Sequence, residues 1–145
     1  MTPLSAFKHK LPIQVRFNDI DRVNHVNNAV YLTYIELGRV HYLNEVLKRE
    51  IDWDKKGFIL AHTSIDYKTP IYLRDQIFCY TKTVLLGNKS VTLESVIVKK
   101  SGDELVECAR SKGVLVAMNY ENNTSIPLPI EWRQQAEAYE GTIVT

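Results

Sequence analysis

The sequence lacks the features that mark several large classes of protein. It has no apolar run near the roughly 18 residues that cross a bilayer, and Met1–Lys10 lacks the apolar stretch of a secretory signal peptide. Its formal net charge is only +1, which gives no electrostatic case for binding nucleic acid. We therefore expect neither a membrane segment nor a nucleic-acid partner.

Cysteine is scarce, and short catalytic motifs are missing. Cys79 and Cys108 lie in strand-like segments outside any CxxC or Cys/His pattern. They are expected to be buried free thiols, which favours a cytoplasmic location. There is no GxSxG, HExxH or Gly-rich phosphate loop, so a serine hydrolase or a nucleotide enzyme is disfavoured. A site built from Asp19, Asp21 and His25 would lack a further neutral ligand. We expect no metal and no cofactor.

What is present is a chain of ordinary globular composition. It has 145 residues, of which 45% are hydrophobic and 24% charged, and this length fits one domain over residues 1–145. Gly, Asn and Asp at the connections favour an antiparallel meander. Alternating apolar and polar residues predict strands over residues 7–17, 58–68, 76–86, 90–99 and 104–118.

A long helix is predicted after the first strand, from about Asn28 to about Lys48. Its apolar positions cover more than one stripe, so we expect burial on most sides. Gly38 at its middle costs about 1 kcal/mol relative to alanine, which close packing against a sheet would justify. The chain then turns through Ile51–Gly57, and Glu131–Tyr139 favours a short second helix.

A sheet covers only one face of such a helix and leaves its own edge strands open. Pairing of edge strands across a two-fold axis would satisfy their free backbone hydrogen-bonding groups. We expect an obligate homo-oligomer, a homodimer or a homotetramer.

The segment that joins the first strand to the helix is the most informative. It carries Asp19 and Asp21, then His25, and places the pair Asn27–Asn28 where the helix begins. The first N–H groups of a helix lack intrahelical partners and attract negative charge. A carboxylate beside such an oxyanion site is what acyl transfer requires.

Each polar residue of this region also has a structural interpretation. Both acids can hydrogen-bond their own backbone in a turn. We expect Asp19 to anchor the loop by accepting from Arg16 or Arg22. His25 either packs as a structural residue or orients Asp21 or the attacking water.

The remaining histidines and one glutamate are given mainly structural roles. We expect His9 to be exposed, and His41 and His62 to be core or interface groups. Glu36 pairs with Arg39 or another charge, or else it is a second carboxylate near the site.

Two stretches carry a family resemblance. The pattern Asp19-x-Asp21-x-x-x-His25-Val26-Asn27-Asn28-x-x-Tyr31, followed by Tyr34-x-Glu36-x-x-Arg39, resembles hotdog-fold acyl-CoA thioesterases of the 4-hydroxybenzoyl-CoA thioesterase type and, in part, plant acyl-ACP thioesterases. The turn Ile65–Asp75 is a second match, with Arg74 in the place of a common glycine. The resemblance covers about residues 8–130 and leaves residues 131–145 as a tail. It implies an α+β hotdog fold, with an antiparallel sheet of about five strands around one long central helix.

The resemblance also implies roles for individual residues. Asp21 takes the position of the catalytic carboxylate, and Asn28 that of the backbone N–H that polarises the thioester carbonyl. His25 matches the histidine of the plant enzymes, although Val23 stands where those enzymes have asparagine. The residues expected to bind substrate are Asn27, Tyr31, Glu36, Tyr67 and Arg74.

The implied function is hydrolysis of an acyl-CoA or acyl-carrier-protein thioester in fatty acid metabolism. A hydratase or dehydratase on the same fold, a non-catalytic acyl-binding protein and a purely structural dimer are the alternatives. The residues leave open whether Asp21 is a nucleophile or a general base on water.

Overall fold

The computed structural model describes residues 1–48 and 52–145. The predicted α+β class and the order strand, helix, meander are confirmed, although the first strand is shorter than predicted. Ile51 of the predicted turn lies outside the described residues. The elements are β1 (His9–Ile13), α1 (Asn28–Val46), β2 (Lys56–Tyr67), β3 (Ile77–Leu86), β4 (Ser90–Ser101), β5 (Glu104–Asn119), β6 (Thr124–Ser125) and α2 (Ile130–Glu140).

The strands form one antiparallel sheet in the order β1-β3-β4-β5-β2, with the short β6 paired to the end of β5. The register shifts by one residue in β2, β3 and β5. Such bulges bend a strand and increase its twist, so the sheet curls. β1 and the twelve-residue β2 are left as its two edges. No helix in the described part of the chain combines the length and apolarity that a membrane crossing requires.

The long helix α1 packs against β1, β3 and β4. At Gly38 an added Cβ would lie only 2.6 Å from the Sγ of Cys79 on β3, so the predicted close approach to the sheet is confirmed. The expectation of burial on most sides is wrong for the single chain, because Leu37 and Val40 are 51% and 52% exposed. The buried residues form one stripe: Tyr31, Tyr34, Ile35, Gly38, Tyr42, Leu43 and Val46.

Both ends of the chain add to the core. α2 lies in the segment that we expected to be a tail, and its Trp132 and Ala136 join the same apolar cluster as Leu43 of α1. At the other end, Phe7 packs on Val96 and Val98 of β4. The central strand is therefore covered on both faces.

His9 lies differently from the prediction. His9 was expected to be exposed but is 3% exposed, because the period-two alternation of β1 places it on the same face as Ile13. Burial lowers the pKa of His9, and the charge of Glu45 offsets this only in part. His41 and His62 are exposed in the single chain, so neither is a core group, and a place in an interface stays a prediction.

The two cysteines are buried free thiols, as predicted. Burial raises the pKa of Cys79 to about 12 and that of Cys108 to about 11. Neither thiol is therefore a nucleophile at neutral pH.

Candidate active site

Asp19 anchors the loop before α1. Its Oδ2 accepts hydrogen bonds from the Tyr34 hydroxyl at 2.6 Å and from the Arg16 N–H at 2.9 Å, and its Oδ1 pairs with the Arg16 guanidinium at 3.1 Å. Burial by itself raises the pKa of Asp19, but the hydrogen bonds from Tyr34 and Arg16 outweigh burial and the pKa is lowered. Asp19 is thus an ionised structural group, and the predicted pairing with Arg16 is confirmed.

Asp21 sits in a tight turn that holds one of its two carboxylate oxygens. Oδ1 accepts from the N–H of Val23 at 2.9 Å and from the N–H of His25 at 3.3 Å. The Asp21 N–H donates to the His25 carbonyl at 2.8 Å, and Asn24 closes the turn with a φ of 65°. No described residue donates to Oδ2. A half-buried carboxylate with one restrained and one available oxygen is oriented for chemistry at the second.

Asp21 lines a cavity of about 470 Å³ at the surface. Arg74, one of the predicted substrate-binding residues, lies on the same cavity in the turn that follows β2. Its guanidinium adds a positive charge to the lining of the cavity that holds the Asp21 carboxylate. The other lining residues are Phe17, Ile20, Asn24, Tyr72 and Leu73.

His25 lies between Asp21 and the start of α1. Its backbone forms a bridge with Tyr72, and its ring meets the Tyr72 ring edge-on at 5.1 Å between centroids. No hydrogen bond joins the His25 imidazole to Asp21 in the described part of the chain. His25 contacts Asp21 through its backbone, with its N–H donating to Oδ1 and its carbonyl accepting from the Asp21 N–H.

The N-terminus of α1 lies at the Asn27–Asn28 pair, where the sequence predicts the start of the helix. Asn27 is the N-cap, and its Oδ1 accepts from the Ala29 N–H at 2.9 Å. Asn28 is the first helical residue, and no described residue accepts from its N–H. The Tyr67 hydroxyl donates to the Asn28 carbonyl at 3.0 Å and so ties the end of β2 to the helix start.

A second cavity of about 210 Å³ lies beside this helix start and is lined by His25, Asn28, Tyr31 and Tyr67. The Tyr31 and Tyr67 rings meet edge-on at 5.0 Å. Burial raises the pKa of Tyr31 to about 12, so its hydroxyl stays protonated. Four of the predicted site residues therefore share one cavity, while Asp21 and Arg74 share its neighbour.

Glu36 lies apart from both cavities. It is exposed on α1, 3.8 Å from the Arg39 guanidinium. Eight residues of helix separate it from Asn28, which is about 12 Å along the axis. It lines a third cavity of about 460 Å³ between α1 and β2, together with Arg39, Val40, Leu43, Asn44, Trp53, Phe58, Leu60 and Leu115. The Glu36–Arg39 pair is confirmed, and a direct contact with Asp21 is not formed.

Sequence reasoning missed Tyr72 and Trp53. Tyr72 belongs to the second family-like stretch, and its pairing with the segment that carries His25 depends on the fold. Trp53 stands among charged residues in a turn, and an aromatic residue in such a polar setting is the signal that could have marked it. The ligand atoms of Asp19, Asp21 and His25 do not gather into a cluster within residues 1–48 and 52–145.

Comparison with known proteins identifies the family. A family model described as the thioesterase-like superfamily matches residues 15–136. A thioesterase from Thermus thermophilus, solved with coenzyme A and Zn, is 33% identical; the match covers 97% of this chain and 100% of that one, with a TM-score of 0.83. The fold is therefore the thioesterase hotdog fold.

Two further relatives have named activities. The long-chain acyl-CoA thioesterase FadM of Escherichia coli is 27% identical over 128 residues, which is 86% of this chain and 94% of FadM. The structure of a 1,4-dihydroxy-2-naphthoyl-CoA thioesterase from Synechocystis, 18% identical with a TM-score of 0.74, shares the fold over 88% of this chain and 93% of its own.

Proposed function

This chain belongs to the thioesterase-like superfamily, and we propose that it hydrolyses acyl-CoA thioesters with Asp21 and the N-terminus of α1. One observation carries the proposal. The Asp21 carboxylate is held through Oδ1 by two backbone N–H groups, and seven residues later Asn28 opens the long helix with an N–H that no described residue accepts. A restrained carboxylate and an oriented N–H donor are the two groups that acyl transfer needs.

In the proposed reaction the thioester carbonyl lies over the N-terminus of α1. The Asn28 N–H donates to the oxygen as it gains negative charge, and the helix dipole adds to this stabilisation. On one route Asp21 attacks the carbonyl carbon, the C–S bond breaks, and water then hydrolyses the mixed anhydride. On the other route Asp21 takes a proton from water, and the resulting hydroxide attacks the same carbon. In both routes the sulfur leaves as a thiolate.

Two residues hold this machinery in position. Tyr67 fixes the first carbonyl of α1, and Asn27 caps the helix through Ala29. Because the helix start is already held in place, its N–H groups need no reorganisation when charge develops in the transition state. His25 is proposed to help orient the attacking water or Asp21, since its side chain lines the cavity at the helix start.

The acyl chain is proposed to run along α1 into the third cavity. That cavity is lined mainly by apolar side chains from α1, β2 and β5, including Leu43, Phe58 and Leu115. Its first lining residue on α1 is Glu36, about 12 Å along the axis from the helix start. The long-chain activity named for FadM supports an aliphatic acyl group. Arg74 lines the Asp21 cavity and is proposed to contact the polar part of the thiol carrier, either coenzyme A or an acyl-carrier protein.

We propose a homodimer as the active form, with a homotetramer as the alternative assembly. Leu37 and Val40 on α1 and Ile59 and Leu60 on β2 are about half exposed in the single chain. β2 is also an edge strand along its whole length. An exposed long edge beside an apolar face favours pairing with a second copy. A cytoplasmic location is proposed as well, supported by the two buried free thiols.

A free-thiol release assay over acyl-CoAs of different chain length and ring content tests the proposed activity. We expect release of CoA and free acid in equal amounts from the parent, and a rate at least ~10²-fold lower for Asp21→Asn. Water added to a 2-enoyl thioester without thiol release would identify a hydratase instead. Saturable binding without turnover would identify a binding protein.

A further inference from the structure

Three side chains with metal-binding atoms converge on the surface of α1, away from the proposed active site. They are His9 on β1, and His41 and Glu45 one turn apart on the helix. His9 Nε2 lies 2.8 Å from His41 Nδ1 and 3.4 Å from Glu45 Oε2, and His41 Nδ1 lies 3.7 Å from the same oxygen. Within the described residues this is the one group of three such side chains whose ligand atoms gather.

The spacing of these atoms fits a tetrahedral ion. A zinc ion binds nitrogen and oxygen ligands at about 2.0–2.1 Å, so tetrahedral neighbours lie about 3.3 Å apart. The separations of 2.8, 3.4 and 3.7 Å lie on both sides of that value. One point therefore lies about 2 Å from all three ligand atoms without rearrangement of the backbone.

Without a cation, these three atoms form one hydrogen bond among themselves, between His9 Nε2 and His41 Nδ1 at 2.8 Å. Two neutral imidazoles share one proton between Nε2 and Nδ1, and the carboxylate brings further lone pairs to the same point. Glu45 is too far from either nitrogen for a strong hydrogen bond.

We propose that His9 Nε2, His41 Nδ1 and Glu45 Oε2 bind one divalent transition-metal ion of the zinc type. Two imidazoles and one carboxylate are a ligand set that zinc accepts, whereas Mg²⁺ prefers oxygen ligands alone. His41 and Glu45 are about half exposed, so water has access to the fourth position.

The site differs from the proposed active site in place and in role. Thirteen residues of α1 separate His41 from Asn28, which is about 20 Å along the helix axis. A metal ion here would join β1 to α1.

His9 Nδ1 has no hydrogen-bond partner among the described residues, so the bound tautomer lacks the support that a ligating imidazole usually receives. Loss of such support weakens metal binding by about 10–100-fold.

Titration calorimetry on metal-free protein without a purification tag tests the proposal, with Zn²⁺ as the probe and Mg²⁺ as the comparison. We expect one Zn²⁺ per chain, no saturable Mg²⁺ binding, and a melting temperature that rises with Zn²⁺. Tetrahedral Co²⁺ should show its visible absorption bands at the same stoichiometry. Absence of a saturable Zn²⁺ site would leave only a hydrogen-bonded histidine pair and would overturn the proposal.

Matched variants identify the ligands. His41→Ala should weaken Zn²⁺ binding by at least ~100-fold, and Glu45→Gln by at least ~10-fold. Both residues are exposed, so neither variant should unfold, and circular dichroism verifies this. His62→Ala and Glu137→Gln change an exposed histidine and an exposed glutamate elsewhere and should bind Zn²⁺ like the parent. Unchanged affinity in either ligand variant, or an equal loss in His62→Ala, would contradict the assignment. These readouts do not depend on thioester hydrolysis.

Discussion

Asp19 and Asp21 are two residues apart, yet their environments give them different roles. Asp19 is 1% exposed and accepts from Tyr34 and Arg16. Asp21 is half-buried, lines a cavity and has one oxygen without a partner among the described residues. The local backbone explains the difference, because Asp19 ends a short 3₁₀ helix (Phe17–Asp19), whereas Asp21 begins the turn that Asn24 closes.

We expect Asp21→Asn to lower the hydrolysis rate by at least ~10²-fold, because the amide keeps the size of the side chain but is neither a nucleophile nor a base. The measurement is kcat/KM together with circular dichroism and light scattering. Asp19→Asn is the matched control and should lower the melting temperature, since its buried donors lose a charged acceptor. An active Asp21→Asn enzyme would reject the assignment.

We expect His25→Ala to reduce kcat by roughly 10-fold or more, within the range that acid–base assistance provides. KM should change little, because an orienting group acts mainly in the transition state. Both kcat and the melting temperature are measured on one preparation. A lower melting temperature with parental turnover would show that His25 serves only to pack against Tyr72.

At the scale of elements, the contact between α1 and β3 depends on one glycine. We expect Gly38→Ala to destabilise the fold by about 1–3 kcal/mol, because its Cβ would meet Cys79 Sγ at 2.6 Å. Alanine gains about 1 kcal/mol over glycine in helix propensity, which is less than the upper part of this range of steric cost. Denaturant unfolding measures the change, and adding Cys79→Ala to the Gly38→Ala variant should restore part of the lost stability. A Gly38→Ala protein more stable than its parent would contradict the close packing.

The strand β5 carries a charge cluster that couples stability to pH. Glu107 Oε1 pairs with the Arg110 guanidinium at 2.7 Å, and Lys68 donates to its other oxygen. The hydrogen bond from Arg110 is the main cause that lowers the pKa of Glu107 from 4.5 to about 2. A lowered folded-state pKa means that the ionised carboxylate stabilises the fold above about pH 4.5, and that this contribution is lost as pH falls to about 2.

We therefore expect Glu107→Gln to lower the free energy of unfolding by about 1 kcal/mol at pH 7. The difference from the parent should shrink progressively as the pH is lowered below 4.5. Glu104→Gln, at the exposed start of the same strand, is the control and should leave the curve unchanged. If the variant's lower free energy of unfolding persists unchanged at acid pH, the loss comes from packing and not from the charge of Glu107.

At the scale of the whole molecule, the proposed homodimer follows from the exposed apolar face of α1 and from the edge strand β2. Light scattering should give at least twice the chain mass of 16.7 kDa. Leu37→Glu should shift the equilibrium toward monomer, because burial of an unpaired charge in an interface is costly. Ile130→Glu, equally apolar and 65% exposed at the start of α2, should leave the assembly intact. A stable, active monomer would remove the argument for assembly.

The sequence predicted the elements and the local part of the site. The start of α1 follows from Asn27 as its N-cap, and the meander follows from period-two alternation with short turns. Asp21 and Asn28 lie near each other in sequence, so the hydrogen bonds that form their surroundings span only a few residues. Interactions of this range are fixed by residue type and spacing, which a sequence displays directly.

Tertiary structure decided what depends on two distant segments meeting. The pairing of Tyr72 with His25, the cavity between α1 and β2, and the placement of His9 beside His41 each join residues far apart in the chain. Each depends on the rotation of α1 over the sheet and on strand register. A rotation or register shift of one residue would change every such contact while leaving the sequence pattern the same, because helix and strand periodicity specify a face but not its partner.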